Sequence, residues 1–307
     1  MPTYRIIVNP MAGKGHAAKV VPDVKKLLDE YQIKYDLIYT ERPWHASELT
    51  KQAARERVDV VVAMGGDGTA NEVLNGLMEA KKMHDHCPAM GVICVGRGND
   101  FGYGANIPHG LEAGCKVLAD GFKKKIDVGH VSVDGQEGRY FGNGIGIGFD
   151  AVVGFEAAKM KRLGGFLGYA VAAFKVLFLY YKAPTVEIKF NSHKLIQPSL
   201  MVSVMNGRRM GGGFYMAPTS LANDGLFDLC IAGEAGHLRV LSLIFHFMKG
   251  TQVGKKCIQM EQASHLTVTA MKGTLPAHAD GETLCFEGKH LELTLLSNQI
   301  EILCEPS

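Results

Sequence analysis

A chain of 307 residues is long for one domain and comfortable for two. Its 47% hydrophobic and 21% charged residues are ordinary for a globular protein and exclude disorder as the default. A net charge of +2 argues neither for nor against nucleic acid: any basic face is local, and Lys123-Lys124-Lys125, Arg208-Arg209 and Lys255-Lys256 read first as solvated surface; no nucleic-acid partner is expected.

In chain order, residues 5–8 form a short apolar strand closed by Asn9-Pro10. Met11-Ala12-Gly13-Lys14-Gly15 is a glycine-containing turn with one cation. Val20, Val21, Val24, Leu27 and Leu28 recur at helical spacing over 17–30. A second strand covers 35–40, and an alanine-rich helix 45–57. Residues 58–64 are apolar apart from Asp59 and rich in valine, as in a parallel strand covered on both faces. Gly65-Gly66-Asp67-Gly68-Thr69 then opens a helix over 70–82, whose free N–H groups and dipole suit a phosphate, with Asp67 or Thr69 as its cap and Glu72 in its first turn. Residues 90–95 form another strand, ending at Gly96-Arg97-Gly98-Asn99-Asp100, and a helix covers 110–120. Strands alternating with helices across short connections predict a parallel sheet, with ligands beyond the strand carboxyl ends. Asn9–Gly15, Thr40, Gly65–Asn71 and Gly96–Asp100 all fall at those ends.

After about residue 129 the texture changes. Strand-like runs at 131–133, 139–147, 185–190, 195–203, 227–232, 266–271 and 291–295 are separated by turn signals, and helical patches cover about 151–182 and 236–249. The pattern predicts a mainly antiparallel β domain with inserted helices. The last run, 299–304, could return to the first domain.

Seven cysteines without a CxxC pair, and no signal peptide, point to a reducing cytoplasm. His84-Asp85-His86-Cys87 has no second ligand group nearby in sequence and reads as a polar loop. The apolar stretch 163–181 is near the minimum for a membrane span, but its glycines and the internal Lys175 favour an amphipathic or buried helix.

Phosphoryl transfer needs a phosphate cradle, Mg²⁺ held by oxygens, and a base for the accepting hydroxyl. The candidate carboxylates are Asp100, Asp127, Asp224 and Glu282, although Asp-Gly pairs recur at 67, 120, 134, 224 and 280 and are common turns. The ordered set Asn9-Pro10 with Gly13, Gly65 through Leu77, Gly96-Arg97-Gly98-Asn99-Asp100-Phe101, Asp224-Gly225-Leu226-Phe227-Asp228 and Asp280-Gly281-Glu282 resembles the diacylglycerol kinase catalytic-domain family, in particular its soluble bacterial lipid kinases. Gly65–Thr69 alone is less specific, since sphingosine kinases, NAD kinases and phosphofructokinases have related loops.

The resemblance implies an α/β nucleotide-binding domain at 1–128, which 297–307 could complete, and a β-sandwich lipid-substrate domain with inserted helices at 129–296, with the active site in the cleft between them. It implies ATP against Asn9, Pro10, Gly13, Thr40, Gly65, Gly66, Asp67, Gly68, Thr69, Ala70 and Asn71, with Lys14 a candidate phosphate cation. It implies Glu282 as general base and Asp100 and Asp127 near the transferred phosphate. A structural metal site would use Asp224 with the carbonyls of Leu221 and Leu226, separate from the Mg²⁺ that travels with ATP. Arg97 stands where the family usually has threonine, and would offer a guanidinium instead of a small hydroxyl. The expected acceptor is a primary hydroxyl of a lipid such as diacylglycerol, reached by transient contact with the inner membrane face. Phe155, Phe166, Phe174, Leu177, Phe178, Phe245 and Phe247 are either core or lipid-facing, and Lys159, Lys161, Arg162, Lys175 and Lys182 are placed to meet anionic headgroups. A soluble-substrate kinase of the NAD kinase type, an inactive nucleotide- or lipid-binding module, and a homodimer all stay open.

Overall fold

A computed structural model describes residues 2–160, 165–179 and 182–306; the expectations for Lys161 and Arg162 lie outside them. The chain forms two compact units, Met1–Val128 with Ser297–Ser307, and Gly129–Leu296.

The first unit runs β1 (Thr3–Val8), α1 (Ala12–Glu30), β2 (Lys34–Tyr39), α2 (His45–Arg55), β3 (Val60–Gly65), α3 (Asp67–Met83), β4 (Ala89–Cys94), α4 (Asp100–Gly104), α5 (Leu111–Asp120) and the start of β5 (Lys123–Val133). The strands lie parallel in the order β2-β1-β3-β4, and Ile302 pairs with Met90 beyond β4, also in parallel. Every residue of β3 is buried, which accounts for its unbroken valines. The register aligns the strand ends: Val8 stands opposite Tyr39 and Met64, and Gly65 opposite Cys94. The connections after all four strands therefore leave the same edge.

The start of α3 differs from expectation. Its N-cap is Gly66, with no side-chain cap. Thr69 and Asp67 are engaged with neighbouring loops instead, and Glu72 accepts the Ala46 N–H at 3.1 Å, capping α2. Further along, a methyl group at Gly76 would lie 2.7 Å from the Ser47 carbonyl and the Thr50 Cβ. Gly76 is what lets α2 and α3 touch backbone to backbone.

The second unit continues with β6 (Arg139–Phe141), β7 (Gly144–Gly148), α6 (Phe149–Ala158), α7 (Gly165–Leu179), β8 (Thr185–Phe190), β9 (His193–Met205), β10 (Phe227–Gly233), α8 (His237–Lys249), β11 (Ile258–Ala263), β12 (His265–Lys272), β13 (Leu275–Ala279), β14 (Glu282–Gly288) and β15 (His290–Leu303). It is an antiparallel sandwich. One sheet runs β11-β10-β9-β7-β13-β14; the other includes β8, β12 and β15. β9 belongs to both, pairing with β8 through Pro198 and with β10 from Ser199 onward. Phe141, Ile147, Val204, Phe227, Leu266 and Leu293 are among the residues that fill the space between the sheets. Helices α6, α7 and α8 cover the other face of the first sheet through a second core that includes Phe149, Val176, Met201, Leu243 and Phe247.

The run expected as one strand over 139–147 is broken at Gly142-Asn143, whose amides turn toward Asp280. β11, β13 and β14 carry weak sequence signals because their apolar residues are interrupted by Gln, Glu, Pro and His. On α7, Ala172, Ala173, Val176 and Leu177 are buried while Leu167, Val171, Phe174 and Phe178 are exposed. Phe247 is core and Phe245 is exposed, so these helices carry one core face and one exposed apolar face. Lys159 and Lys175 both pair with Glu156, which reduces what they can offer to an anionic surface. Among the described residues no helix is long and apolar enough to cross a membrane, and no cluster of three His, Cys, Asp or Glu could hold a metal ion.

Candidate active site

In the first unit, three connections nest at the common edge. After β1, Met11 N–H bonds Asn9 Oδ1 and Ala12 N–H bonds Asn9 O, closing a tight turn. Gly13, Lys14 and Gly15 all take left-handed backbone angles before the regular part of α1 begins. A methyl group at Gly13 would lie 2.6 Å from the Val95 carbonyl, so this turn sits directly on the connection after β4. Asn9 Nδ2 donates to Thr69 Oγ1 at 3.1 Å, tying the first connection to the third. Gly66 and Gly96 stand back to back, each without room for a side chain on the other's side. Thr40 N–H bonds Val8 O, which places Thr40 beside Asn9.

Asp67 closes the arrangement. Its carboxylate accepts the Asn99 N–H at 2.8 Å and the Phe101 N–H at 3.0 Å, and so holds the Gly96–Asp100 loop and the start of α4. Both oxygens are committed to that loop. Asp67 thus fixes the shape of this edge through the loop it holds. Arg97 is exposed at the tip of the same loop and Lys14 on the turn opposite. Asn9, Pro10, Gly13, Thr40, Gly65–Asn71 and Gly96–Asp100 are therefore neighbours, as a cradle of backbone N–H groups requires. Asp100 and Asp127 are both buried. Asp127 is fully buried in β5, and its Oδ1 accepts the Asn298 N–H at 2.7 Å. That bond gives it a part in holding the turn at 297–299.

The second unit carries Glu282. Ala279 and Glu282 pair across a two-residue turn whose Asp280 and Gly281 both have positive φ, +48° and +85°. Asp280 is buried, and its carboxylate accepts three backbone N–H groups: Gly142 at 2.8 Å, Asn143 at 2.9 Å and Gly144 at 2.9 Å. Asp280 N–H returns a bond to Gly144 O. The Gly142–Gly144 corner is clamped from its other side by Asn206, whose Nδ2 bonds Gly142 O and whose N–H bonds Asn143 O. Asn143 Nδ2 donates in turn to Arg209 O. Glu282 is exposed beside this frame. Arg139 faces both Glu282 and Asp280; partial burial holds its pKa below the usual arginine value, while the two carboxylates oppose that shift.

Asn143 and Asn206 are absent from the sequence expectations. Asn143-Gly144 and Asn206-Gly207 are Asn-Gly pairs, read most simply as turns; their recurrence beside a strand end is the signal that points to them. Asp224 sits on a separate turn, exposed, with its Oδ1 accepting the Leu226 N–H at 3.0 Å. The neighbouring Asp228 carboxyl is pushed up by burial, and the charge of Asp224 adds to the shift.

Replacing Asp280 with alanine is expected to leave three buried amides without an acceptor. At about 1–3 kcal/mol per unpaired group, urea unfolding should show a loss of roughly 3 kcal/mol or more, with Asp280→Asn losing less. An unchanged midpoint would show that the corner is held by Asn206 alone.

Residues 3–131 match the family model for the diacylglycerol kinase catalytic domain, and residues 143–301 match that for the YegS C-terminal NAD kinase beta sandwich-like domain. A diacylglycerol kinase of Bacillus subtilis (strain 168) is 30% identical over 286 residues, covering 92% of this chain and 90% of that one. A diacylglycerol kinase of Staphylococcus aureus (strain MRSA252) is 28% identical over 284 residues, 91% of this chain and 85% of that one. The crystal structure of a diacylglycerol kinase from Bacillus anthracis (strain Sterne) superposes with a TM-score of 0.72 at 20% identity, over 99% of this chain and 97% of that one, a likeness of fold.

Proposed function

We propose that this chain, which belongs to the diacylglycerol kinase catalytic-domain family and is a kinase by that membership, transfers the γ-phosphoryl group of ATP to a primary hydroxyl of a lipid such as diacylglycerol. The observation that carries the reading is the pairing of two built features. One is the phosphate cradle of the first unit, which Asp67, Asn9 and the Gly66–Gly96 approach hold open. The other is an exposed carboxylate, Glu282, set on a clamped turn of the second.

In the proposed reaction the backbone amides of Gly65–Asn71 and the loop at Gly96–Asp100 bind and orient the triphosphate, with Arg97 supplying positive charge at the loop tip. Glu282 accepts the proton of the lipid hydroxyl as its oxygen bonds to the γ-phosphorus. The bond from that phosphorus to the bridging oxygen breaks, and ADP leaves with the electron pair. Asp100, at the start of α4, stands near the transferred group.

Mg²⁺ would neutralise phosphate charge when bound with ATP. A second, structural ion would be held at the turn of Asp224, as the family resemblance implies. The donor set there, one exposed carboxylate and the backbone carbonyls of Leu221 and Leu226, is oxygen only, which suits Mg²⁺.

The exposed row Leu167, Val171, Phe174 and Phe178 on α7, with Leu238 and Phe245 on α8, supports transient contact with a lipid surface. Incubating the protein with γ-labelled ATP, Mg²⁺ and a total lipid extract, with NAD in a parallel reaction, tests the proposal. Label should enter one lipid class, identified by product mass. Label in the NAD fraction alone would replace the reading with a soluble-substrate kinase, and label in neither would leave a nucleotide- or lipid-binding module.

A further inference from the structure

Beneath α6 lies a buried polar layer that the proposed reaction does not use. Asp150 is 2% exposed and His278 6% exposed. Asp150 Oδ2 accepts the Ser203 hydroxyl at 3.1 Å, while Asp150 Oδ1 and both ring nitrogens of His278 have no hydrogen-bond partner among the described residues. Three unpaired polar atoms in one dry layer are costly, and native proteins seldom leave them so.

Their positions follow from two independent registers. In the sheet, Gly146 of β7 stands between Ser203 of β9 and His278 of β13, so those two side chains share its face. Gly146 has no side chain, and the Asp150 carboxylate fills that gap; a methyl group there would overlap it. On the helix, Gly154 lies one turn beyond Asp150, and a methyl group at Gly154 would sit 3.8 Å from His278 Cδ2. Sheet and helix both place the imidazole beside the carboxyl group, yet the two are not bonded to each other.

We propose that one internal water occupies the space between Asp150 Oδ1 and the imidazole of His278, as a built hydroxyl-sized site that fastens α6 to β13. A neutral imidazole offers one donor and one acceptor, and a water can satisfy either while bonding the carboxyl oxygen. The charge states agree. Burial pushes the Asp150 carboxyl up to about 7 and the His278 ring down to about 4, so neither group favours an ion pair near neutral pH. The adjoining cavity, about 40 Å³, is walled by Asp150 together with apolar side chains such as Phe149, Val153, Leu243 and Phe247, and His278 is not in its wall. The water therefore belongs to the polar layer and not to the cavity.

The test is a crystal structure of the full chain, read together with its metal content and the ¹⁵N shifts of His278. A single peak within about 2.7–3.1 Å of both Asp150 Oδ1 and one His278 nitrogen, no bound transition metal, and a neutral hydrogen-bonded tautomer are expected. In His278→Phe the peak should vanish while Asp150 keeps its bond to Ser203. A stoichiometric metal ion, a direct bond between Asp150 and His278, or an empty layer with an unbonded ring would each overturn the proposal. The wild-type measurements decide the matter even if the variant does not fold.

Discussion

Glu282→Gln is expected to lower turnover by about 10²–10⁴-fold, the range for losing a general base, while the KM for ATP stays within about twofold of wild type. Glutamine keeps the size and polarity of the side chain but cannot accept the hydroxyl proton. In barrier terms the loss is about 3–5 kcal/mol. The nucleotide contacts assigned to Asn9–Gly13 and Gly65–Asn71 belong to another part of the chain and should be untouched. Stability should change little, because Glu282 is exposed and a surface substitution of this kind typically falls within about 0.5 kcal/mol. Steady-state transfer of labelled phosphate to the identified lipid, with urea unfolding of the same preparation, separates the two effects. Turnover near wild type would remove Glu282 from the chemistry, and a large loss of stability would make it part of the frame.

The pH dependence of stability should change sign between two single substitutions. Asp150 titrates near 7 in the folded protein and near 3.9 when unfolded, so between those values the folded state holds the extra proton. Its contribution is fully present below about pH 4 and is lost as pH rises through 7. His278 titrates near 4 when folded and near 6.5 when unfolded, so between those values the unfolded state holds the extra proton. Its contribution is fully present above about pH 6.5 and is lost as pH falls through 4. Over the shared window, roughly pH 4–6.5, the two slopes oppose each other at about 1.4 kcal/mol per pH unit each. Asp150→Asn removes the falling slope, and stability should then rise by about 3 kcal/mol from pH 4 to 6.5. His278→Phe removes the rising slope, and stability should fall by about 4 kcal/mol from pH 4 to 7. Denaturant midpoints at half-unit pH steps measure both. Parallel profiles for the two variants would show that these groups titrate normally in the fold.

The first unit was readable because its signals are local. A buried parallel strand shows as Val60-Val61-Val62, and a ligand edge shows as glycines immediately after it. The same residues hid their partners. Asp67 reads as a helix cap until Asn99 and Phe101 are brought to its carboxylate across more than thirty residues of sequence. The helix extension from Asn71 to Leu77 helps carry the family resemblance, but in the structure Gly76 serves the approach of α2, and Asn75 bonds Asn71 within its own helix. In the second unit the distances in sequence are greater still. Asp280 joins residues about 137 positions away, and nothing near it announces Asn143 or Asn206. Asp127, which the resemblance implies near the transferred phosphate, lies buried within β5, and its bond to the Asn298 N–H spans 171 positions that no local signal bridges. The buried layer of Asp150 and His278 left no trace, because one lies in an apolar helix start and the other in a short strand, and only the pairing of Gly146 aligns them.

The first unit is discontinuous: it includes Ser297–Ser307 as well as the first 128 residues, and Ile302 is the parallel neighbour of Met90. On the ribosome, Ala89–Cys94 therefore waits for its last partner until almost the whole chain has been made. The 168 residues of Gly129–Leu296 emerge in between and can complete their own core first. An early stop in translation thus strands the first unit with an open sheet edge, exposed to pairing with other chains, while the sandwich that emerged after it is already complete.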